Sequence, residues 1–184
     1  MQISKSLLLI SLFFILSFCK NNKQVVREPI SHTRSMVDMQ SVNQNRSLNK
    51  REEDYIAKMI AQDSLHHYID SGHGFWYYYL KQNPNGLPVK TDDHVILNYS
   101  IKDLGGNYIY TADEIGQKTY WVDHENYFRG FHEAVKLLKQ GETAVFVFPS
   151  NAAYGYHGDE QKIGANIPLI VQLKILKINK HNNK

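Results

Sequence analysis

The chain has 184 residues, 42% hydrophobic and 12% aromatic, enough for one folded domain with additional segments. Lysine and arginine number 21 against 18 aspartate and glutamate, and both signs are spread along the chain, which excludes the one-sided basic surface of a nucleic-acid binder. There is 1 cysteine, and no histidine, cysteine or glutamate set has zinc-ligand spacing, so neither an intrachain disulfide, a metal nor a cofactor is expected.

Residues 1–18 read as an export signal. Lys5 supplies the positive start, and Leu7 to Phe18 is an apolar run broken only by serine. At 12 residues it is shorter than the roughly 20 that span a bilayer. The run stops at Cys19, followed at once by Lys20-Asn21-Asn22-Lys23. Leu16-Ser17-Phe18-Cys19 resembles a bacterial lipoprotein signal, although Phe18 stands where a small residue is usual. That resemblance implies lipidation of Cys19, which becomes the new N-terminus and anchors the chain in a membrane. Lys20 is unlike an acidic inner-membrane retention signal, so the expected place is the cell envelope, at the outer membrane facing the periplasm.

Residues 19–47 are polar, rich in Asn, Gln, Ser and Arg, and lack apolar periodicity, so a flexible tether is expected there. A coil of that length reaches about 30 Å. Residues 48–86 read as an extension made of a helix and a strand. Ser47 caps a helix running to Ile69, with Tyr55, Ile56, Met59 and Ile60 on one side and Ser71-Gly72 ending it. Gly74 to Leu80 is a strongly aromatic strand, and Asn83-Pro84-Asn85-Gly86 is a turn.

Residues 87–180 carry the main domain. His94 to Ile101 is a strand with Val95, Leu97, Tyr99 and Ile101 on one face. Tyr108 to Thr111 and Thr119 to Val122 are further strands. Gly130 to Lys139 is a short amphipathic helix presenting Phe131, Ala134, Val135 and Leu138, with Gly141 as its stop. Thr143 to Phe148 is a strand, Ser150 to Pro168 a long loop, and Leu169 to Ile178 a closing strand. The order predicts an α+β fold, an antiparallel sheet with one helix on its face.

Two stretches, His94 to Tyr110 and Tyr127 to Ile178, resemble FKBP-type peptidyl-prolyl isomerases. The likeness rests on Phe128-Arg129-Gly130-Phe131, Gly141-Glu142, Pro149-Ser150 and Ala153-Tyr154-Gly155 in that order. Arg27 to His32, Gly74 to Tyr79 and Tyr154 to Glu160 look like the gliding-motility-associated lipoprotein branch of that family. The resemblance implies a twisted antiparallel sheet wrapped around one short helix, with an apolar pocket between them. It implies a catalytic set of Tyr99, Phe128, Phe131 (the pocket floor) and Tyr154, with Ile109, Tyr110, Tyr120, His157, Ile163 and Val171 binding substrate. Three positions depart from the family pattern: Tyr110 stands for a carboxylate, Val171 for a phenylalanine, and Gly164-Ala165 for paired prolines.

The chemistry so implied needs no acid/base pair, because an Xaa-Pro bond isomerises without making or breaking a covalent bond. The expected partners are proline-containing polypeptides, a membrane through the lipid anchor, and an envelope or motility protein complex, with no nucleic acid. Two functions remain open: an isomerase acting on exported proteins, and a non-catalytic chaperone or binding module. Asp92-Asp93 and Glu52-Glu53-Asp54 read as solvated charge, and the aromatic run at Trp76 to Tyr79 as core.

Overall fold

The structure, a computed structural model, describes residues 36–180. The expected export signal, Cys19 and the first part of the tether lie outside those residues.

Strand β3 (His94–Lys102) organises the sheet, because both of its edges are used. It alternates as expected: Val95, Leu97 and Ile101 are buried and Tyr99 is half-buried on the inward face. One edge pairs with the last strand β7 (Leu169–Asn179), from His94↔Asn179 to Lys102↔Ile170. The other edge is shared. Its first half pairs with β5 (Lys118–Trp121), and its last residues pair with β4 (Tyr108–Tyr110). Between Leu97 and Ile101 neither neighbour pairs with it. The edge splits there because a four-residue helix, α2 (Ala112–Ile115), carries the chain from β4 to β5. Thr111 caps α2 by accepting the Glu114 amide.

The full order is β1-β2-β6-β7-β3-β4, with β5 on β3, and every pairing is antiparallel. Here β1 is Ile69–Asp70, β2 is Trp76–Lys81 and β6 is Thr143–Phe148. Helix α3 (Arg129–Lys136) buries Phe131, Ala134 and Val135 against the inner face, and Leu138 follows them into the core. From the sheet come Tyr77, Leu97, Phe146, Phe148, Leu173 and Ile175. The aromatic run in β2 is core, as expected, with Phe75 just before it also buried.

Strand β6 is buried on both faces, which is unusual for an antiparallel strand. Ala144, Phe146 and Phe148 join the core with α3, so Val145 and Val147 point to the opposite face. That face is covered. The Glu52 carboxylate of helix α1 (Met36–Gln62) accepts the Ser150 amide at 2.8 Å and its hydroxyl at 2.9 Å, just beyond β6. One turn on, Ile56 is fully buried. Beside them His66 stacks on Tyr78 at 4.1 Å, and Tyr68 meets the same ring edge-on at 4.9 Å.

Four expectations are corrected. Helix α1 begins at Met36, so residues 36–47 of the expected flexible tether are helical; the stretch has no glycine or proline to stop the helix. Its lack of apolar periodicity reflects an exposed helix surface over residues 41–47. Ser47 is inside the helix, not its cap, and its hydroxyl donates to Gln44 O. The helix ends at Gln62, short of Ile69, because the Asp63 carboxylate accepts the Leu65 amide, His66 Nδ1 and the Tyr68 hydroxyl, bonds that a continuing helix cannot offer. Two of the acidic residues read as solvated are instead bonded within the fold: Asp93 is 3% exposed and accepts the Lys90 amide at 2.9 Å and Lys180 Nζ at 2.7 Å, and half-buried Glu52 holds Ser150.

Candidate active site

The start of α3 decides the site. Phe128 is extended (φ −69, ψ 152), and the helix begins at Arg129. Gly130 has no room for a side chain: a Cβ would lie 2.5 Å from Ala152 O and 2.8 Å from the Phe148 ring. That close approach sets the helix start against the turn Ser150–Ala152. It also brings Phe128 edge-on to Tyr154 at 4.9 Å and to Phe148 at 5.2 Å.

Where the edge of β3 is left unpaired, a cavity of about 930 Å³ opens. Tyr99 and Ile101 from β3, Tyr110 from β4, Tyr127 and Phe128 before α3, and Tyr154 from the long loop line it. The structure therefore brings Tyr99, Phe128, Tyr154 and Tyr110 together. Tyr99 and Tyr127 place their hydroxyls 3.5 Å apart, long for a hydrogen bond. Burial raises the Tyr99 pKa far above the usual tyrosine range. Burial, then the charge of Asp159, pushes Tyr154 up to about 12. Both phenols are thus neutral O–H donors at ordinary pH.

The remaining expected site residues sit elsewhere. Phe131 is 1% exposed, behind the cavity surface, because the Tyr127 ring stacks on it at 4.5 Å and 13°. Tyr120 is fully buried and shares a hydrogen bond with His132 Nδ1. Ile163 and Val171 are core residues, and Ile109 packs against the same core. His157 is exposed, with the Tyr156 ring edge-on to it at 5.7 Å. None of these six is on the cavity wall. Phe131, Tyr120, Ile163 and Val171 are buried, Ile109 is half-buried, and His157 is exposed. Tyr127 was missed in the sequence, although its aromatic character and its place beside Phe128 were visible there.

The departure at Tyr110 has a structural partner. Its hydroxyl donates to Asp159 Oδ2 at 2.6 Å and accepts the Lys162 amide at 3.3 Å. Asp159 Oδ1 accepts the Ile163 amide at 2.7 Å and the Gln161 amide at 2.9 Å. Lys162 Nζ lies 4.8 Å over the Tyr110 ring and pairs with Glu114. This clasp ties the loop to β4 and α2. Gly158 (φ +67) turns the loop into it, with Ile163 O only 2.2 Å from where a Cβ would stand.

Burial alone would push the Asp159 carboxyl up, but its bonds from Tyr110, Ile163 and Gln161 outweigh that and hold it below the usual carboxylate range. Stability from such a group is present above the unfolded value, about 3.9 for aspartate, and is lost as pH falls through the lower folded value. Thermal melts should therefore drop more steeply below about pH 4 for the wild type than for Asp159→Asn. Parallel acid limbs would show that Asp159 is not held this way.

Among the described residues no three His, Cys, Asp or Glu side chains gather as a metal site. The cavity offers aromatic rings and tyrosine hydroxyl donors on one side and the polar side chains of Glu114, Lys118, Asn126, Asp159 and Gln161 on the other, which suits binding a peptide.

Comparison with known proteins bears on the fold and the family. Residues 87–176 match the family described as FKBP-type peptidyl-prolyl cis-trans isomerase. The chain is 32% identical over 110 residues to the probable FKBP-type peptidyl-prolyl cis-trans isomerase FkpA of Neisseria meningitidis serogroup B, a match covering 60% of this chain and 40% of that protein. It thus spans well under half the length of that relative. A peptidyl-prolyl cis-trans isomerase structure from Pseudomonas syringae pv. tomato shares the fold, with a TM-score of 0.60 and 18% identity over 74% of this chain and 96% of that one.

Proposed function

Because residues 87–176 belong to the FKBP-type peptidyl-prolyl cis-trans isomerase family, we propose that this protein accelerates cis-trans exchange at Xaa-Pro bonds of exported polypeptides while a lipid on Cys19 holds it at the outer membrane, facing the periplasm. The observation that carries the reading is the meeting of Tyr99, Phe128 and Tyr154 on one aromatic cavity.

The two isomers of an Xaa-Pro bond differ by about 1 kcal/mol, yet amide resonance sets a barrier of ~18–20 kcal/mol between them. Uncatalysed exchange takes tens of seconds. The planar amide is charge-separated and well hydrated, whereas the twisted transition state has lost that resonance. A cavity walled by Phe128 and tyrosine rings withholds water from the planar form more than from the twisted one. In this reading the Tyr99 and Tyr154 hydroxyls hold the peptide by its carbonyls, supported by their place on the cavity wall.

The anchor rests on the leader and Cys19, and the placement on Lys20. Service to a gliding motility apparatus rests on the resemblance of Arg27 to His32, Gly74 to Tyr79 and Tyr154 to Glu160 to that lipoprotein branch. A second reading, a non-catalytic chaperone or binding module of an envelope complex, is favoured by the exposed helical surface over residues 41–47.

A protease-coupled assay on a Leu-Pro peptide separates the two. The wild type should accelerate exchange, and Tyr154→Phe should lower kcat/KM severalfold, as expected for one lost hydrogen bond of about 1 kcal/mol. No acceleration from folded, monodisperse protein would leave the binding module as the better reading.

A further inference from the structure

The ring at the start of α3, Phe131, cannot meet a substrate in this structure, since its face is taken by Tyr127 at 4.5 Å and 13° and it is 1% exposed. Tyr127 itself lines the cavity. We infer that the flat surface a prolyl ring meets is that of Tyr127, and that Phe131 backs it from behind. This rests on the isomerase reading above and names the contact residue within it.

The alternative would be a movable cover that swings away to bare Phe131. The surroundings of Tyr127 argue for a fixed wall. Its ring is held on three sides: flat on Phe131, edge-on to Tyr120 at 5.3 Å and 83°, and edge-on to Tyr99 at 6.2 Å and 73°. Its backbone carbonyl is 3.1 Å from His132 Nε2, and His132 Nδ1 is bonded to the Tyr120 hydroxyl. The neutral imidazole with its proton on Nε2 satisfies both bonds at once. Displacing Tyr127 would strip three aromatic contacts and open a fully buried ring to water, while leaving it in place needs no rearrangement. Edge and stacked contacts of this kind are individually modest, but they add on one ring.

Tyr127 also changes what the cavity offers. A phenol edge with a hydroxyl lies beside the Tyr99 hydroxyl, so the contact surface is flat and apolar at its centre and polar at one rim. A prolyl ring fits the flat part, and the carbonyl before it fits the rim.

The test has two readouts on the full protein. In NMR, a bound Leu-Pro peptide should show upfield-shifted pyrrolidine protons with Overhauser contacts to the Tyr127 ring protons. Contacts to Phe131 instead would overturn the inference without any variant. In the isomerase assay, Tyr127→Phe should lose severalfold in kcat/KM, because it removes the rim hydroxyl but keeps the flat ring. Tyr127→Leu and Tyr127→Ala should lose about tenfold in kcat/KM, equivalent to about 1.4 kcal/mol. Activity at or above wild type in the folded leucine variant would mean that Tyr127 is a cover, and the inference would fall. A wild type without acceleration would overturn the isomerase reading alone, and the NMR contacts would still decide which ring receives proline.

Discussion

Phe131→Ala is expected to cost about 4 kcal/mol of stability, near the upper end for truncating a buried ring. Phe131 is 1% exposed and touches Tyr99, Tyr120, Tyr127 and Phe128 at centroid distances of 5.2, 5.6, 4.5 and 5.7 Å. Removing it leaves a void walled by four rings that cannot all collapse, because they are fixed on β3, on β5 and on the segment leading into α3. A domain of this size has a total stability of about 5–15 kcal/mol, so the variant should sit near its unfolding threshold at growth temperature. Urea unfolding should show a lower midpoint at an unchanged slope. Activity should fall as well, but through lost backing of Tyr127, and most steeply on warming. A loss below about 1 kcal/mol would mean that the four rings are not packed as described.

Gly158→Ala should lose tenfold or more in kcat/KM with a smaller loss of stability. The residue is buried, its φ is +67, and a Cβ would stand 2.2 Å from Ile163 O and 3.0 Å from the Gly164 carbonyl. The neighbours it would strike are backbone atoms, so the loop itself must open. A left-handed conformation costs a non-glycine residue about 1–2 kcal/mol before any clash. Opening the loop pulls Asp159 from Tyr110 and shifts Tyr154, which the same loop carries. Gly164→Ala is the control, since its nearest contact would be Ile167 Cγ1 at an ordinary 3.9 Å. The two variants should separate clearly in the proline-peptide assay. Equal activities would show that the loop does not shape the cavity.

Most of the strands of the main domain were legible. The alternation of Val95, Leu97 and Ile101 and the apolar run Thr143 to Phe148 report burial directly, because side chains on a strand face opposite sides in turn. Helix α3 was legible for the same reason at its own period, with Phe131, Ala134, Val135 and Leu138 all buried. Helix α1 was misjudged over residues 36–47 because an exposed helix leaves no apolar stripe to read. Helix α2 was missed because four residues are too few to show any period.

The site was half legible. Tyr99, Phe128 and Tyr154 could be named because they fall within motifs whose order and spacing survive in one dimension. Which aromatic ring faces the cavity could not. Tyr127 lies four positions before Phe131, and only the path of the chain into α3 folds one ring over the other. The clasp is less legible still, since Tyr110 and Asp159 are 49 residues apart and a tyrosine in place of a carboxylate reads as a loss until its partner is seen.

By itself, then, the amino-acid sequence determined most strands of the main domain, the buried face of helix α3 and the motif order by which residues 87–176 match the FKBP-type family, because periodicity and motif order are local properties of the chain. Tertiary structure alone decided that Tyr127 covers Phe131, that Tyr110 bonds Asp159 and that Asp93 is buried against Lys180. Each of these joins groups whose meeting depends on how the elements pack, and packing is set by contacts that no spacing along the chain records.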